Sequence, residues 1–198
     1  GGAVAIAYAV RHPERVSQLV LVGAYARGAL RRATTEGERL ESMTLINLVR
    51  VGWGRDNPAF RQVFTNLFIP DGTLQQHQWW NELERLTVTP DNAARTLEAF
   101  YDIDVRELAG QVRVPTLVMH SRGDARVPFD EGRQLAALIP GARFVPLDSR
   151  NHVLLEGEPV AGVAAAVGYE SEAAFSRAFK KLVGEAPAIW RRANATRA

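Results

Sequence analysis

A short run of β-branched and large apolar residues, Val114-Pro115-Thr116-Leu117-Val118-Met119-His120, lies in the second half of the chain. This composition predicts a strand that is buried on both faces, which is typical of a parallel sheet. Residues 142–147 have the same character, and residues 129–139 between them show helical spacing that ends at a Pro-Gly pair. The positions of that helix that we expect to face the core are Leu135, Leu138 and Ile139. Strand, helix and strand at this spacing predict a right-handed βαβ unit.

The residues upstream of this unit predict further elements of an α/β fold. Residues 3–11 are small and apolar and predict a helix, and residues 15–22 predict another buried strand. Residues 28–108 are helical in pattern and rich in aromatic side chains, and an insertion of about 80 residues between two strands is too long for a simple connection. Two interpretations stay open for these aromatic residues: they line an apolar pocket as a lid, or they only pack the helices together. One aromatic stripe at positions i, i+4 and i+8 consists of Phe60, Phe64 and Phe68.

The composition argues against several kinds of site. The 198 residues contain no cysteine, so they form neither a disulfide framework nor a thiolate metal site, which fits a reducing cytoplasm. No apolar run approaches the roughly 20 residues that a membrane-spanning helix needs. The four histidines have no carboxylate at ligand spacing. We therefore expect a cytoplasmic protein without a metal or another cofactor.

The charge is distributed unevenly along the chain. The net charge is +2, but the residues from 161 onward carry six Lys and Arg against three Glu. Both lysines of the chain, Lys180 and Lys181, lie in this segment. A small basic module on a near-neutral body is the distribution expected of a DNA-binding appendage, and a solvated basic tail has the same charge.

The basic segment contains the motif Gly168-Tyr169-Glu170-Ser171-Glu172-Ala173-Ala174-Phe175-Ser176-Arg177-Ala178-Phe179-Lys180-Lys181. This motif resembles the second helix-turn-helix of AraC/XylS-type transcription regulators. The resemblance implies a recognition helix whose first residues enter the major groove of double-stranded DNA. The implied base readers are Glu172, Ala173 and Ser176, and the implied phosphate contacts are Arg177, Lys180 and Lys181. Because the family uses two such units and the motif supplies one, we expect weak, salt-sensitive binding.

Four stretches of the preceding residues resemble the C-terminal half of an α/β-hydrolase. They are Gly1-Gly2-Ala3-Val4-Ala5, His12-Pro13-Glu14-Arg15-Val16, His120-Ser121-Arg122-Gly123-Asp124-Ala125-Arg126-Val127-Pro128 and Asn151-His152. The first is similar to the segment that follows the nucleophile in a Gly-x-Ser-x-Gly elbow. The third and fourth imply that Asp124 is the acid and His152 the base of a catalytic triad. Asn151 stands where glycine is common in the family, and asparagine tolerates a left-handed backbone.

The same resemblance implies that the nucleophile is missing. Gly1 would be the last glycine of the elbow, so the serine would precede it, and none of the six serines stands in a Gly-x-Ser-x-Gly motif. Without a nucleophile and an oxyanion hole, an aligned Asp–His pair has nothing to activate. We therefore expect no ester turnover. We also expect an open sheet edge beside residues 15–22 that favours self-association.

These observations together predict an α/β protein. A partial α/β-hydrolase fold, with parallel strands and a helical cap at about 28–108, covers residues 1–160, and a small all-α helix-turn-helix covers residues 161–198. The first hypothesis is a sequence-specific DNA-binding transcription regulator whose hydrolase module senses a small apolar ligand or ester under the cap. The alternative is an esterase-like serine hydrolase that lacks its nucleophile through truncation, and a third hypothesis is a vestigial fusion without function.

Overall fold

The computed structural model describes residues 1–155, which contain a sheet of three parallel strands. The strands are β1 (Leu19–Val22), β2 (Thr116–Ser121) and β3 (Arg143–Leu147), and they lie side by side in that order. Every residue of the central strand β2 is buried, as its apolar composition requires. Val118 of this strand pairs with Leu21 on one side and with Phe144 on the other. The predicted parallel sheet is confirmed.

Within the described residues, helices precede the first strand and separate the three strands. Those of the described residues are α1 (Gly2–Arg11), α2 (Ala29–Arg32), α3 (Glu36–Gly52), α4 (Ala59–Phe68), α5 (Leu74–Thr87), α6 (Pro90–Tyr101), α7 (Arg106–Ala109) and α8 (Phe129–Leu138), with a 3₁₀ turn at Pro13–Arg15. The side chains of Thr35 and Glu38 form a capping box at the start of α3, and Thr73 and Gln76 form another at the start of α5. Helix α6 begins at Pro90, and proline is favoured at the first position of a helix. None of the helices in residues 1–155 is long and apolar enough to cross a bilayer.

One apolar core joins the sheet to α1, α7 and α8. Its buried members include Ile6, Leu21, Val118, Leu135 and Ile139. Leu135 and Ile139 thus face the core as predicted, but the prediction for Leu138 was wrong, because that side chain is 36% exposed. Leu138 is the last residue of α8, and Ile139 continues with an extended backbone that turns its own side chain inward.

The first strand differs from its prediction in length and in burial. It begins at Leu19 rather than near residue 15, because Pro13–Arg15 forms the 3₁₀ turn. Leu19 and Leu21 are buried in the core with α1, whereas Val20 and Val22 are each 42% exposed. Successive side chains of a strand point to opposite faces of the sheet. Helix α1 therefore covers the face that carries Leu19 and Leu21 and leaves the face that carries Val20 and Val22 exposed. Self-association through this side of the sheet stays a prediction.

Helices α2 to α6 lie in the chain between β1 and β2, where the helical cap was predicted. Phe64 is buried in the core of the cap with Val49 and Ala94, and its ring meets that of Trp53 edge-on at 5.6 Å. Phe68, one helical turn further on, instead brings its ring to 5.3 Å from that of His152. Each interpretation of the aromatic stripe therefore applies to a different residue: Phe64 packs helices together, and Phe68 faces the sheet.

The cap also buries polar side chains that the apolar pattern did not predict. Arg61 is only 2% exposed, and its guanidinium donates hydrogen bonds to the backbone carbonyls of Asn81 at 3.1 Å, Trp53 at 3.0 Å and Arg55. These bonds join α4 to α5 and to the loop after α3. A single buried side chain thus donates to carbonyl groups of two other segments.

Glu84 is the buried acid of the same cap. Its carboxyl accepts hydrogen bonds from the Trp80 indole at 2.9 Å and from the Thr65 hydroxyl at 3.4 Å. Burial raises the pKa of Glu84 to about 7, although these bonds and the positive charge of Arg61 act in the opposite direction.

Candidate functional site

Asp124 lies in the turn that follows β2, with its side chain fully buried. Its Oδ1 accepts hydrogen bonds from the backbone N–H groups of Arg126 at 2.8 Å and Val127 at 2.9 Å, so the turn itself fixes the carboxylate. Its Oδ2 lies 2.8 Å from Nδ1 of His152. The structure therefore brings together the two residues that the sequence proposed as acid and base.

A second histidine, His120, contacts the same carboxylate and was not predicted as a site residue. Its Nε2 lies 3.3 Å from Oδ2 of Asp124 and 3.0 Å from the carbonyl oxygen of Val127. Since both neighbours are acceptors, Nε2 carries the proton, and the buried Nδ1 has no hydrogen-bond partner within residues 1–155. A Cβ atom at Gly132 would lie 2.4 Å from this Nδ1, so α8 packs directly against the ring. The only signal in the sequence was the position of His120 at the end of the apolar run.

The electrostatics of the site follow from these contacts. Burial by itself would raise the pKa of Asp124, but the hydrogen bonds from His120, His152 and the Val127 N–H outweigh it and hold the pKa well below its ordinary value. Asp124 is therefore ionised at neutral pH, and Nδ1 of His152 carries the proton of their hydrogen bond. Nε2 of His152 keeps its lone pair, and it has no hydrogen-bond partner among the residues that the structure describes.

The loop that carries His152 is anchored to both the cap and the sheet. The backbone N–H of His152 donates to the carbonyl of Phe68 at the end of α4, at 2.8 Å. The hydroxyl of Ser121 at the end of β2 donates to the carbonyl of Asn151 at 2.6 Å, and the side chain of Asn151 accepts the backbone N–H of Asp71 at 3.0 Å. No non-glycine residue in 1–155 has a positive φ. Asn151 therefore does not adopt the left-handed backbone that the comparison with glycine suggested.

Gly23, directly after β1, forms the floor beneath the imidazole. Its φ is +59°, a conformation that favours glycine, and a Cβ atom there would lie 2.8 Å from Cε1 of His152. Backbone conformation and ring packing thus each require a residue without a side chain at this position.

A cavity of about 230 Å³ opens between the cap and the carboxyl end of the sheet. Gly1 and Gly2 lie at one side of it, Phe68 and Arg126 at another, and the ring of His152 faces it. The described residues that line it include no serine, threonine or cysteine. The cavity can therefore hold a small molecule against the imidazole, with mainly apolar and glycine surface around it.

Two further predictions concern metals and DNA. Residues 1–155 contain no group of three His, Asp or Glu side chains that could hold a metal ion. The candidate DNA contacts lie outside the described residues, so the structure adds nothing on them; they are Glu172, Ala173, Ser176, Arg177, Lys180 and Lys181.

Comparisons with known proteins find two kinds of relative for this chain. A helix-turn-helix domain family model matches residues 147–193, a segment that starts at the end of β3 and includes His152. A 2-hydroxy-6-oxononadienedioate/2-hydroxy-6-oxononatrienedioate hydrolase of Cupriavidus pinatubonensis is 33% identical over 157 residues, which cover 73% of this chain and 50% of that protein. The AB hydrolase superfamily protein YisY of Bacillus subtilis is 28% identical over 156 residues, covering 77% of this chain and 56% of that protein.

A solved structure shows the same fold. An esterase from Exiguobacterium antarcticum superposes with a TM-score of 0.64 at 24% identity, over 77% of this chain and 56% of the esterase. The chain thus spans about half the length of the proteins that it matches. It consists of the C-terminal part of an α/β-hydrolase fold with a helical cap, joined to a helix-turn-helix segment of the AraC type.

Proposed function

We propose that this chain is a DNA-binding transcription regulator whose α/β-hydrolase module binds a small ligand in the His152 cavity. The observation that carries the proposal is the cavity itself. An ordered Asp124–His152 pair faces it, and its described lining offers no serine, threonine or cysteine for the pair to activate. Such a site can still bind a small molecule, because it keeps a cavity, apolar side chains along its wall and one imidazole that can form a hydrogen bond.

The dimensions of the cavity favour a small ligand. Its volume of about 230 Å³ is below the roughly 300 Å³ at which pockets for drug-sized molecules begin. The rings of Phe68 and Phe100 supply apolar surface, and Nε2 of His152 supplies one hydrogen-bond acceptor. A compact molecule with an apolar body and a polar group fits this combination.

Two observations support the DNA-binding half of the proposal. They are the helix-turn-helix match over residues 147–193 and the basic charge of the C-terminal residues.

We expect Arg177→Ala and Lys180→Ala to weaken binding to every DNA sequence alike, because each removes one phosphate contact. Each should also reduce the slope of log affinity against log salt by about one. Glu172→Ala and Ser176→Ala should instead change which sequence is preferred. Mobility-shift titrations at several salt concentrations measure both effects.

Arg95, an exposed arginine of α6, supplies the control for these four variants. Arg95→Ala also removes one positive charge but should leave the affinity and its salt slope unchanged. If all four C-terminal variants behaved alike, or like Arg95→Ala, the assignment of a recognition helix would be wrong.

A serine hydrolase is the second candidate, and one observation favours it. Gly1 and Gly2 lie against the same cavity as His152, at the start of α1, and they belong to the segment that resembles the one following the nucleophile in a Gly-x-Ser-x-Gly elbow. The matched proteins from Cupriavidus pinatubonensis and Exiguobacterium antarcticum are a hydrolase and an esterase.

Ester turnover separates the two candidates. We expect the 198-residue chain to hydrolyse p-nitrophenyl acetate no faster than its His152→Ala variant, because the described cavity lining contains no serine, threonine or cysteine that His152 could activate. The release of p-nitrophenolate, followed by absorbance with equal concentrations of the two proteins, provides the measurement. A rate clearly above that of His152→Ala would show that a group of this chain acts as nucleophile and would favour the hydrolase.

A further inference from the structure

Arg126 is the one arginine among residues 1–155 that lines the cavity of His152. It lies two residues after Asp124, and its backbone N–H is fixed by the 2.8 Å hydrogen bond to Oδ1 of that residue. The backbone that carries the guanidinium is thus held by the same carboxylate that holds His152. The proposed acid of the site positions both groups.

Two aromatic rings hold the Arg126 side chain. Its guanidinium carbon lies 5.6 Å from the ring centre of Phe68 and 5.2 Å from that of Tyr101, distances at which a cation is attracted to the ring. Phe68 is also the ring against which His152 packs. The guanidinium and the imidazole therefore contact the same phenyl ring and share one cavity.

No carboxylate of residues 1–155 lies within 4 Å of the Arg126 guanidinium. Other arginines of this part of the chain do form ion pairs, among them Arg31, Arg106 and Arg150. The positive charges of Arg126 and Arg32 both act on the phenol groups of Tyr25 and Tyr101, which places a second cation nearby. A half-buried cation held by rings and left without an anion is suited to receive a negatively charged group from a ligand.

We propose that Arg126 binds the carboxylate of a small organic acid whose apolar body lies against Phe68. This inference rests on the ligand-binding role proposed above and adds the chemical class of the ligand. A guanidinium presents paired N–H donors that match the two oxygens of a carboxylate, and an apolar wall beside it favours an aryl or alkyl group over a second charge. His152 then faces the remainder of the molecule.

The test compares phenylacetate with phenylacetamide, two probes of nearly equal shape that differ in charge. Ligand-observed NMR titrations of the 198-residue chain give both affinities. We expect phenylacetate to bind about tenfold to a hundredfold more tightly, which is the range expected of hydrogen bonds to a charged partner. Arg126→Gln should abolish this preference, so that the two probes bind with equal affinity, whereas Arg126→Lys should retain part of it.

Arg122→Gln is the matched control. Arg122 is an exposed arginine of the same turn, its guanidinium lies over Phe129, and it does not line the cavity. This variant should keep the full preference for phenylacetate.

The outcomes distinguish this inference from the proposed function. If the unmodified chain binds both probes equally, or if Arg126→Gln keeps the preference, the carboxylate assignment is wrong while a ligand-binding module stands. If the folded chain binds neither probe, both the assignment and the ligand-binding module are wrong. Because the comparison of probes needs no mutation, a variant that fails to fold does not affect the result.

Discussion

Replacing Arg61 by methionine should lower the free energy of unfolding by about 3 kcal/mol, because buried acceptors that lose their donor cost about 1–3 kcal/mol each. Methionine has a similar length and no charge, so it fills much of the space but donates nothing. The carbonyl groups of Asn81, Trp53 and Arg55 would lose the donor that now joins them. The cost stays below the sum for three fully buried groups because two of these bonds are only partly buried.

Urea denaturation followed by tryptophan fluorescence measures this effect, with Arg95→Met as the control. Arg95 lies exposed on α6 and forms none of these bonds, so its replacement should change stability by less than about 0.5 kcal/mol. Arg61→Lys should fall between the two, since lysine keeps the charge but not the planar set of donors. Equal stability of Arg61→Met and Arg95→Met would mean that the three carbonyl groups find other partners or water.

Glu84→Gln should stabilise the chain at pH 8 by up to about 3 kcal/mol and should have little effect at pH 4. The folded-state pKa of Glu84 is raised from 4.5 to about 7, so the folded state binds its proton more tightly than the unfolded state. The stabilisation linked to this proton is complete below pH 4.5 and is lost as the pH rises towards 7, and each unit of pKa shift corresponds to about 1.4 kcal/mol. Glutamine resembles the protonated form, still accepts from the Trp80 indole and does not titrate.

The measurement is the difference in unfolding free energy between parent and Glu84→Gln at several pH values. Glu82→Gln on the same helix is the control: Glu82 is exposed and its hydrogen bonds to Arg85 lower its pKa, so its replacement should have a small effect of opposite sign at pH 8. A difference between parent and Glu84→Gln that stayed constant from pH 4 to pH 8 would contradict a raised pKa at Glu84.

The sheet and the order of its elements could be predicted because they depend on local pattern. The run at 114–120 is apolar at nearly every position, and only a strand covered on both faces uses such a run. The burial of β1 could not be predicted in the same way, since Val20 and Leu21 have the same polarity and only the packing of α1 decides which is covered.

The candidate site could be predicted only in part for a related reason. Asp124 and His152 were found through a family motif, and their proximity follows from adjacent parallel strands. Arg61 and Arg126 contact residues distant in sequence, and His120 contacts Asp124 and Val127 only because the turn after β2 folds back on it. Neither periodicity nor charge distinguishes a buried arginine from an exposed one. The roles of all these residues in function stay predictions.

The attachment of the His152 loop to Phe68 has a mechanical consequence. The backbone bond between these residues crosses from the cap to the segment that supplies the imidazole, while Ser121 holds the same loop to the sheet. A ligand large enough to lift α4 would stretch or break that bond and would pull on His152 at the same moment. We therefore expect the cap and the imidazole of His152 to change position together. Since the helix-turn-helix match begins at Leu147, the loop that carries His152 lies within the matched sequence, and a ligand that displaced this loop would move residues that belong to the match.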